Sequence, residues 1–300
     1  MFRYGFSLAE RLGFHLLPIH HSSPVPDTRE LRRTLPRWSG RSELLGVSLD
    51  PDRQSALLEA LRAYEEELRR LPTYDDVMSR WLGEGYSAVD GEILYGVVRH
   101  LKPRRVVEVG AGVSTFYCAE AARANERDGA PCAITSIDPG VRPALRELCR
   151  RRGIRLVESP VQEADRGLFS ELDRDDILFI DSTHVVRIGG DVVHLYLDVV
   201  PRLRAGVVIQ IHDIPFPALV PDPHEWVLRR HMFWTEPALV YALLMDNPRL
   251  EVLLAGRWLH ERRPEALSRV LPSAAGGESP ASLWLRVSDA PPPRGGGSGS

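Results

Sequence analysis

The chain has 300 residues and a formal net charge of −3, with 43% hydrophobic and 26% charged residues. That length permits one large domain or two small ones, and the near-balanced charge gives no basis for general nucleic-acid affinity. No apolar run reaches the ~18 residues that a membrane span requires.

The N-terminal stretch MFRYGFSLAERLGFHLL has scattered charges and no small-residue cleavage site, so it is not read as a signal peptide. Pro18, Pro24, Pro26 and Pro36 break any long helix, and residues 1–50 are expected to be irregular. Phe2, Tyr4, Phe6, Phe14, Leu16, Leu17, Ile19 and Trp38 are more large apolar groups than a linker carries. They predict an arm that packs on the main body. His20 and His21 are adjacent, cannot share one face, and read as loop residues. Asp50-Pro51 is a helix start, with Asp as N-cap and Pro at the first helical position. Leu57, Leu58, Leu61, Tyr64 and Leu68 keep helical spacing through Arg70. A second helix is predicted from Ala88 to Leu101, with Pro103 beyond its end and Tyr86 to Glu92 near the cleft it feeds.

The segment RVVEVGAGVSTFYCA, Arg105 to Ala119, reads as a buried strand, a glycine turn and a helix start. Val106, Val107 and Val109 suit a strand covered on both faces. Gly110 and Gly112 permit positive φ or close backbone approach, and Ser114 and Thr115 are expected to cap the helix. The pattern then repeats. Strands are predicted at Ala133–Ile137, Ile154–Val157, Ile177–Ile180 and Val207–Ile211, with helices at Val141–Arg152 and Gly190–Leu203. A loop rich in Pro, His and aromatic residues follows, then a helix from Glu236 to Met245 and strands at Leu250–Leu254 and Ser282–Val287. Alternating βα units predict a Rossmann-like, doubly wound α/β fold, with a mostly parallel seven-stranded sheet and an N-terminal helical arm. Residues 1–80 form the arm and first helix in this reading, 81–289 the main domain, and 290–300, APPPRGGGSGS, a disordered tail. Cys118, Cys132 and Cys149 form no C-x-x-C pair, which predicts reduced thiols and a cytoplasmic location.

Ligands of such folds sit at the carboxyl ends of the strands. That rule gathers Glu108, Asp138, Asp181, His212 and Asp213 on one rim. Two cofactors compete for the glycine turn. A dinucleotide fingerprint needs a third glycine where Thr115 stands, and Glu108 would face a pyrophosphate. S-adenosylmethionine carries an ammonium and a sulfonium, which suit an acid beside the turn. Asp138 can accept ribose hydroxyls of either. A nicotinamide-dependent oxidoreductase and a non-catalytic binding module are the alternatives. His184, three residues past Asp181, is a candidate general base or metal ligand. His224, His231, Trp226, Trp234 and Glu236 are substrate-pocket candidates, and Arg229 and Arg230 an exposed charge run.

VVEVGAGVST, ITSIDPG, ILFIDSTH and GVVIQIHDIPFP, in that order, resemble the successive motifs of class I S-adenosylmethionine-dependent methyltransferases. More narrowly, the chain resembles the metal-dependent small-molecule O-methyltransferases of natural-product and sugar tailoring, over roughly residues 14–260. The resemblance implies that Glu108, Gly110 and Gly112, with Ser114 at the helix start, hold the cofactor's amino-acid end. Asp138 would hold its ribose and Gln162 its adenine. Metal-dependent relatives bind a divalent cation, Mg²⁺ or Mn²⁺, through an acid after the fourth strand and an Asp-Asn pair after the fifth. Asp181 matches the first position, and His212 and Asp213 replace the pair. A carboxylate, an imidazole and a second carboxylate still suit a divalent ion. The implied activity is methyl transfer to a hydroxyl of a small-molecule acceptor, with Asp181 and His184 catalytic, no nucleic-acid or membrane partner, and homo-oligomerisation left open.

Overall fold

Five short, strongly apolar strands alternate with helices, and two more strands follow late in the chain. They are β1 (Arg105–Val109), β2 (Ala133–Ile137), β3 (Arg155–Val157), β4 (Ile177–Ile180), β5 (Val208–Ile211), β6 (Leu250–Ala255) and β7 (Leu283–Val287). The structure is a computed structural model and describes residues 2–80, 82–83 and 85–289. The tail at 290–300 therefore lies outside the described residues. The strands form one sheet in the order β3-β2-β1-β4-β5-β7-β6. β1 to β5 pair in parallel, and β7 runs antiparallel between β5 and β6. This is the expected Rossmann-like seven-stranded sheet.

Every residue of β4 and β5 is buried, as central strands covered by helices on both faces must be. Cross-strand register places Ser136, Glu108, Phe179, Gln210 and Trp284 side by side. Alternation of side chains puts all five on one face. The helix Ala88–Leu101 is capped by Ser87, whose hydroxyl accepts from the Asp90 N–H. It packs lengthwise on Val113–Arg127 and so feeds β1 from a fixed direction.

Three elements differ from the sequence reading. The predicted helix Gly190–Leu203 is helical but irregular. It runs as an α turn over Asp191–His194, a π segment over Leu195–Val199 and a 3₁₀ turn over Val200–Arg202. Pro201 lacks the N–H that a regular ladder needs. The first helix ends at Leu61 and continues only as short turns to Leu68. The arm holds helices at Phe2–Arg11, Thr28–Arg33 and Leu35–Trp38. Its later half meets the body: Ser42 N–H donates to the Pro217 carbonyl and Arg32 to that of Leu228. In the earlier half Ala9 is buried, but Phe14, Leu16 and Ile19 are all exposed. Among the described residues no helix is long and apolar enough to cross a membrane.

Candidate active site

The turn after β1 is fixed by Gly110. Its φ is +83°, and a Cβ there would lie 2.1 Å from the Asp181 carbonyl oxygen. Only glycine satisfies both demands. Gly112 is different, with a φ of −176° and open space around it. The N–H groups of the turn all have partners inside the protein. Gly110 donates to the Ile137 carbonyl, Ala111 to Asp138 Oδ2 at 3.0 Å, and Gly112 to Thr115 Oγ1 at 3.0 Å.

Glu108 and Ser114 sit elsewhere than expected. Glu108 is buried beneath the turn, where its carboxylate accepts from Ser114 (2.8 Å), Thr115 (2.7 Å) and its cross-strand neighbour Ser136. Burial pushes its pKa up to about 7, against the pull of the three hydroxyls. Glu108 therefore braces the turn from below. Ser114 does not cap the helix, because its side chain turns inward to Glu108; Gly112 occupies the cap position.

Above the turn lies a cavity of about 440 Å³, lined by Gly110, Asp138, Val161, Gln162, Asp181 and Arg187 among others. It spans the carboxyl ends of β1, β2 and β4, as the strand-end rule requires. Asp138 is half-buried, with Oδ1 accepting from Gly140 N–H at 2.6 Å. The exposed Gln162 side chain donates to the Gly189 carbonyl at 2.9 Å, tying the third strand's loop to the fourth's. Asp191 also lines the cavity, so three carboxylates and one guanidinium border it. A larger cavity, about 600 Å³, lies by Asp50, Arg53, Asp246 and Glu251 at the β6 edge, away from this rim.

Asp181, His184 and Asp213 come together beside the cavity. One donor atom from each lies within 4.8 Å of the others. His184 Nε2 is 3.3 Å from Asp181 Oδ1 and 3.6 Å from Asp213 Oδ2. His184 and Asp213 both have left-handed backbone, φ +60° and +57°. Such conformations cost on the order of 1–3 kcal/mol each and concentrate at functional sites. His212, expected as a ligand, is not part of this group. It follows Gln210 on the β5 face turned inward, where its Nε2 lies 3.0 Å from the Gly85 carbonyl and its ring packs on Tyr86 at 4.5 Å. His184 takes the imidazole position instead.

The electrostatics follow from this crowding. Burial alone would lower the His184 pKa, but hydrogen bonds to Asp181 and Glu236 and their charges outweigh it and raise it to about 10. His212 is likewise lowered by burial and raised more by Asp213, Asp181 and Asp90, to about 9. Burial works to raise Asp181, yet His184 and His212 hold it below the usual carboxylate range. Burial lifts Asp213 above that range. The buried His184 imidazole thus lies among carboxylates that favour its protonated form.

The loop after β5 contributes unevenly. Trp226 and Trp234 pack in a tilted pair at 4.9 Å, and Trp234 packs on the His184 ring at 4.4 Å. His224 and His231 are exposed, and Arg229 and Arg230 pair with Glu225. Glu236, expected in the substrate pocket, is fully buried against His184 Nδ1 at 2.6 Å. The contacts of Gly85 and Tyr86 with His212 were not legible, since the sequence marks neither residue as polar machinery.

Residues 107–214 match the family model described as a methyltransferase domain. The match begins inside β1 and ends just past His212 and Asp213, and it upholds the resemblance to class I S-adenosylmethionine-dependent methyltransferases. An uncharacterised protein of Archaeoglobus fulgidus is 26% identical over 180 residues, covering 58% of this chain and 80% of that protein. An O-methyltransferase from Bacillus cereus in complex with SAH is similar at a TM-score of 0.45 and 14% identity, over 77% of this chain and 99% of that one. A Burkholderia thailandensis 1,6-didemethyltoxoflavin-N1-methyltransferase is similar at a TM-score of 0.38 and 19% identity, over 81% and 92%.

Proposed function

We propose that the chain transfers a methyl group from S-adenosylmethionine to a hydroxyl oxygen of a small molecule, with a divalent cation, Mg²⁺ or Mn²⁺, held by Asp181, His184 and Asp213. The observation that carries this reading is the double placement of Asp181. It lines the cavity above the glycine turn and is also a corner of the His184–Asp213 group. A methyl donor in the cavity and an acceptor oxygen at the group would then meet at one carboxylate.

The cavity suits a cationic ligand. Asp138, Asp181 and Asp191 line it, and the N–H groups of Gly110, Ala111 and Gly112 are all engaged within the protein rather than turned to a pyrophosphate. That second fact disfavours the nicotinamide alternative more directly than Glu108, whose carboxylate is turned away. In this reading Asp138 accepts the ribose hydroxyls, Gln162 flanks the adenine, and Gly110 lets the ligand approach the backbone. The donor set of two carboxylates and an imidazole fits a divalent ion. Such an ion lowers the pKa of a hydroxyl bound to it and orients that oxygen. Of the two acids Asp213 is the stronger base, because burial has raised it. The same reading takes residues 1–80 as an arm and 81–289 as the catalytic domain, acting in the cytoplasm.

Calorimetric titration with S-adenosylmethionine tests the donor, and an absence of binding at millimolar concentration rejects it. Methylation that persists after exhaustive chelation, or in an Asp181→Ala protein, rejects the cation.

A further inference from the structure

One three-residue segment, Trp234-Thr235-Glu236, holds the ring, carbonyl and Nδ1 of His184 although fifty residues separate them. The Trp234 ring packs on the imidazole at 4.4 Å. Thr235 N–H and Glu236 N–H both donate to the His184 carbonyl, at 2.9 and 3.1 Å. Thr235 Oγ1 accepts from Val186 N–H at 2.7 Å, fixing the chain just beyond. Glu236 Oε2 meets His184 Nδ1 at 2.6 Å. These contacts maintain the left-handed backbone of His184, which its side chain would otherwise disfavour.

Glu236 is the unusual member. It is wholly shielded from solvent, and its other oxygen accepts from Tyr196 OH at 2.6 Å and Ser182 Oγ at 3.0 Å. Every partner of this carboxylate is a hydrogen-bond donor, and Nδ1–H of His184 completes the set. A carboxylate on one ring nitrogen settles which nitrogen remains for a ligand.

We infer that Glu236 is a positioning residue: it keeps the proton of His184 on Nδ1 and aims Nε2 at the space between Asp181 and Asp213. The inference rests on the cation-assisted reading for its purpose, but its geometry holds without a metal. Glu236 neither lines the cavity nor supplies an atom to the cation group, and it acts only through its contact with His184. Second partners of ligating histidines typically carry 10- to 100-fold in metal affinity.

The test uses the full chain in two arms. In the first, ¹⁵N-histidine NMR of metal-free protein is expected to show a far-downfield proton coupled to His184 Nδ1. His184→Gln assigns the resonance, and Glu236→Gln should shift it upfield. Its absence from wild type overturns the inference, whether or not any variant folds. In the second arm, Mn²⁺ binding is measured for wild type, Glu236→Gln and Tyr196→Phe. The Tyr196 variant removes a buried bond to the same carboxylate but leaves the imidazole contact intact. A 10- to 100-fold loss in Glu236→Gln with less than threefold in Tyr196→Phe supports positioning. Equal losses in both overturn it in favour of a packing role. A wild type that binds no Mn²⁺ rejects the cation reading instead, and the NMR arm alone then decides the role of Glu236.

Discussion

Replacing Gly110 with alanine isolates the feature on which the cavity depends. The added methyl has two separate costs. Holding a non-glycine residue at positive φ costs roughly 1–2 kcal/mol. The new Cβ also starts 2.1 Å from the Asp181 carbonyl oxygen, where contacts under 3.0 Å essentially do not occur. Asp181 or the turn must retreat by roughly 1 Å, and overpacking of this kind costs about 1–3 kcal/mol. Together the loss is about 2–5 kcal/mol, a large share of the roughly 5–15 kcal/mol that stabilises a typical domain. Gly112→Ala is the internal control. Its backbone is extended, and its nearest neighbours, Gly83 Cα and Leu82 O, lie 4.0 Å from where the methyl would sit. Because glycine outranks alanine at a helix cap, it should lose up to about 1 kcal/mol, less than Gly110→Ala. Urea unfolding of the three proteins measures the differences directly. A Gly110→Ala protein as stable as wild type, or two equally damaged variants, would refute the steric reasoning.

Further outcomes follow from the same geometry. The Glu108 pKa of about 7 in the folded protein lies above the ordinary 4.5, so the native state binds the extra proton. Stability should therefore fall as pH rises from 4.5 to 7 and level off above, by on the order of 3 kcal/mol for this group; Glu108→Gln should flatten that slope in urea titrations. His184 behaves with the same sign over a higher window. Its contribution is complete below 6.5 and lost as pH rises toward 10, so a His184→Gln protein should lose less stability between pH 7 and 10 than wild type. Mn²⁺ affinity should increase over the same window, with close to one proton released per ion in calorimetry across buffers of different ionisation enthalpy. A pH-independent affinity would exclude His184 as a ligand. Asp181→Asn, which keeps the shape but removes a charge from cavity and cation group alike, should weaken both S-adenosylmethionine and Mn²⁺ binding by at least tenfold; loss of only one would separate the two sites.

The seven strands were legible because β-branched runs bounded by acids and glycines admit few other readings, and strand ends name Asp138, Asp181 and Asp213 without tertiary knowledge. What sequence could not supply was side-chain direction. Ser114 is a good cap residue, yet Glu108 beneath it is the stronger attraction. His212 and His184 each lie beside a strand end. The parity of β5 turns His212 inward to Tyr86, while a left-handed residue turns His184 toward the rim. Glu236 reaches His184 across 52 positions, a pairing that no local pattern encodes. The arm misled for a different reason. Its apolar residues predicted burial, but Phe14, Leu16 and Ile19 stand exposed between the helices Phe2–Arg11 and Thr28–Arg33.

The most direct measurement is calorimetric titration of S-adenosylmethionine into wild type and into Asp138→Ala. The account predicts one site per chain in wild type and at least a tenfold weaker one in the variant, because Asp138 borders the cavity beside the engaged turn. No heat of binding in wild type at millimolar S-adenosylmethionine, or equal affinity in both proteins, would contradict it.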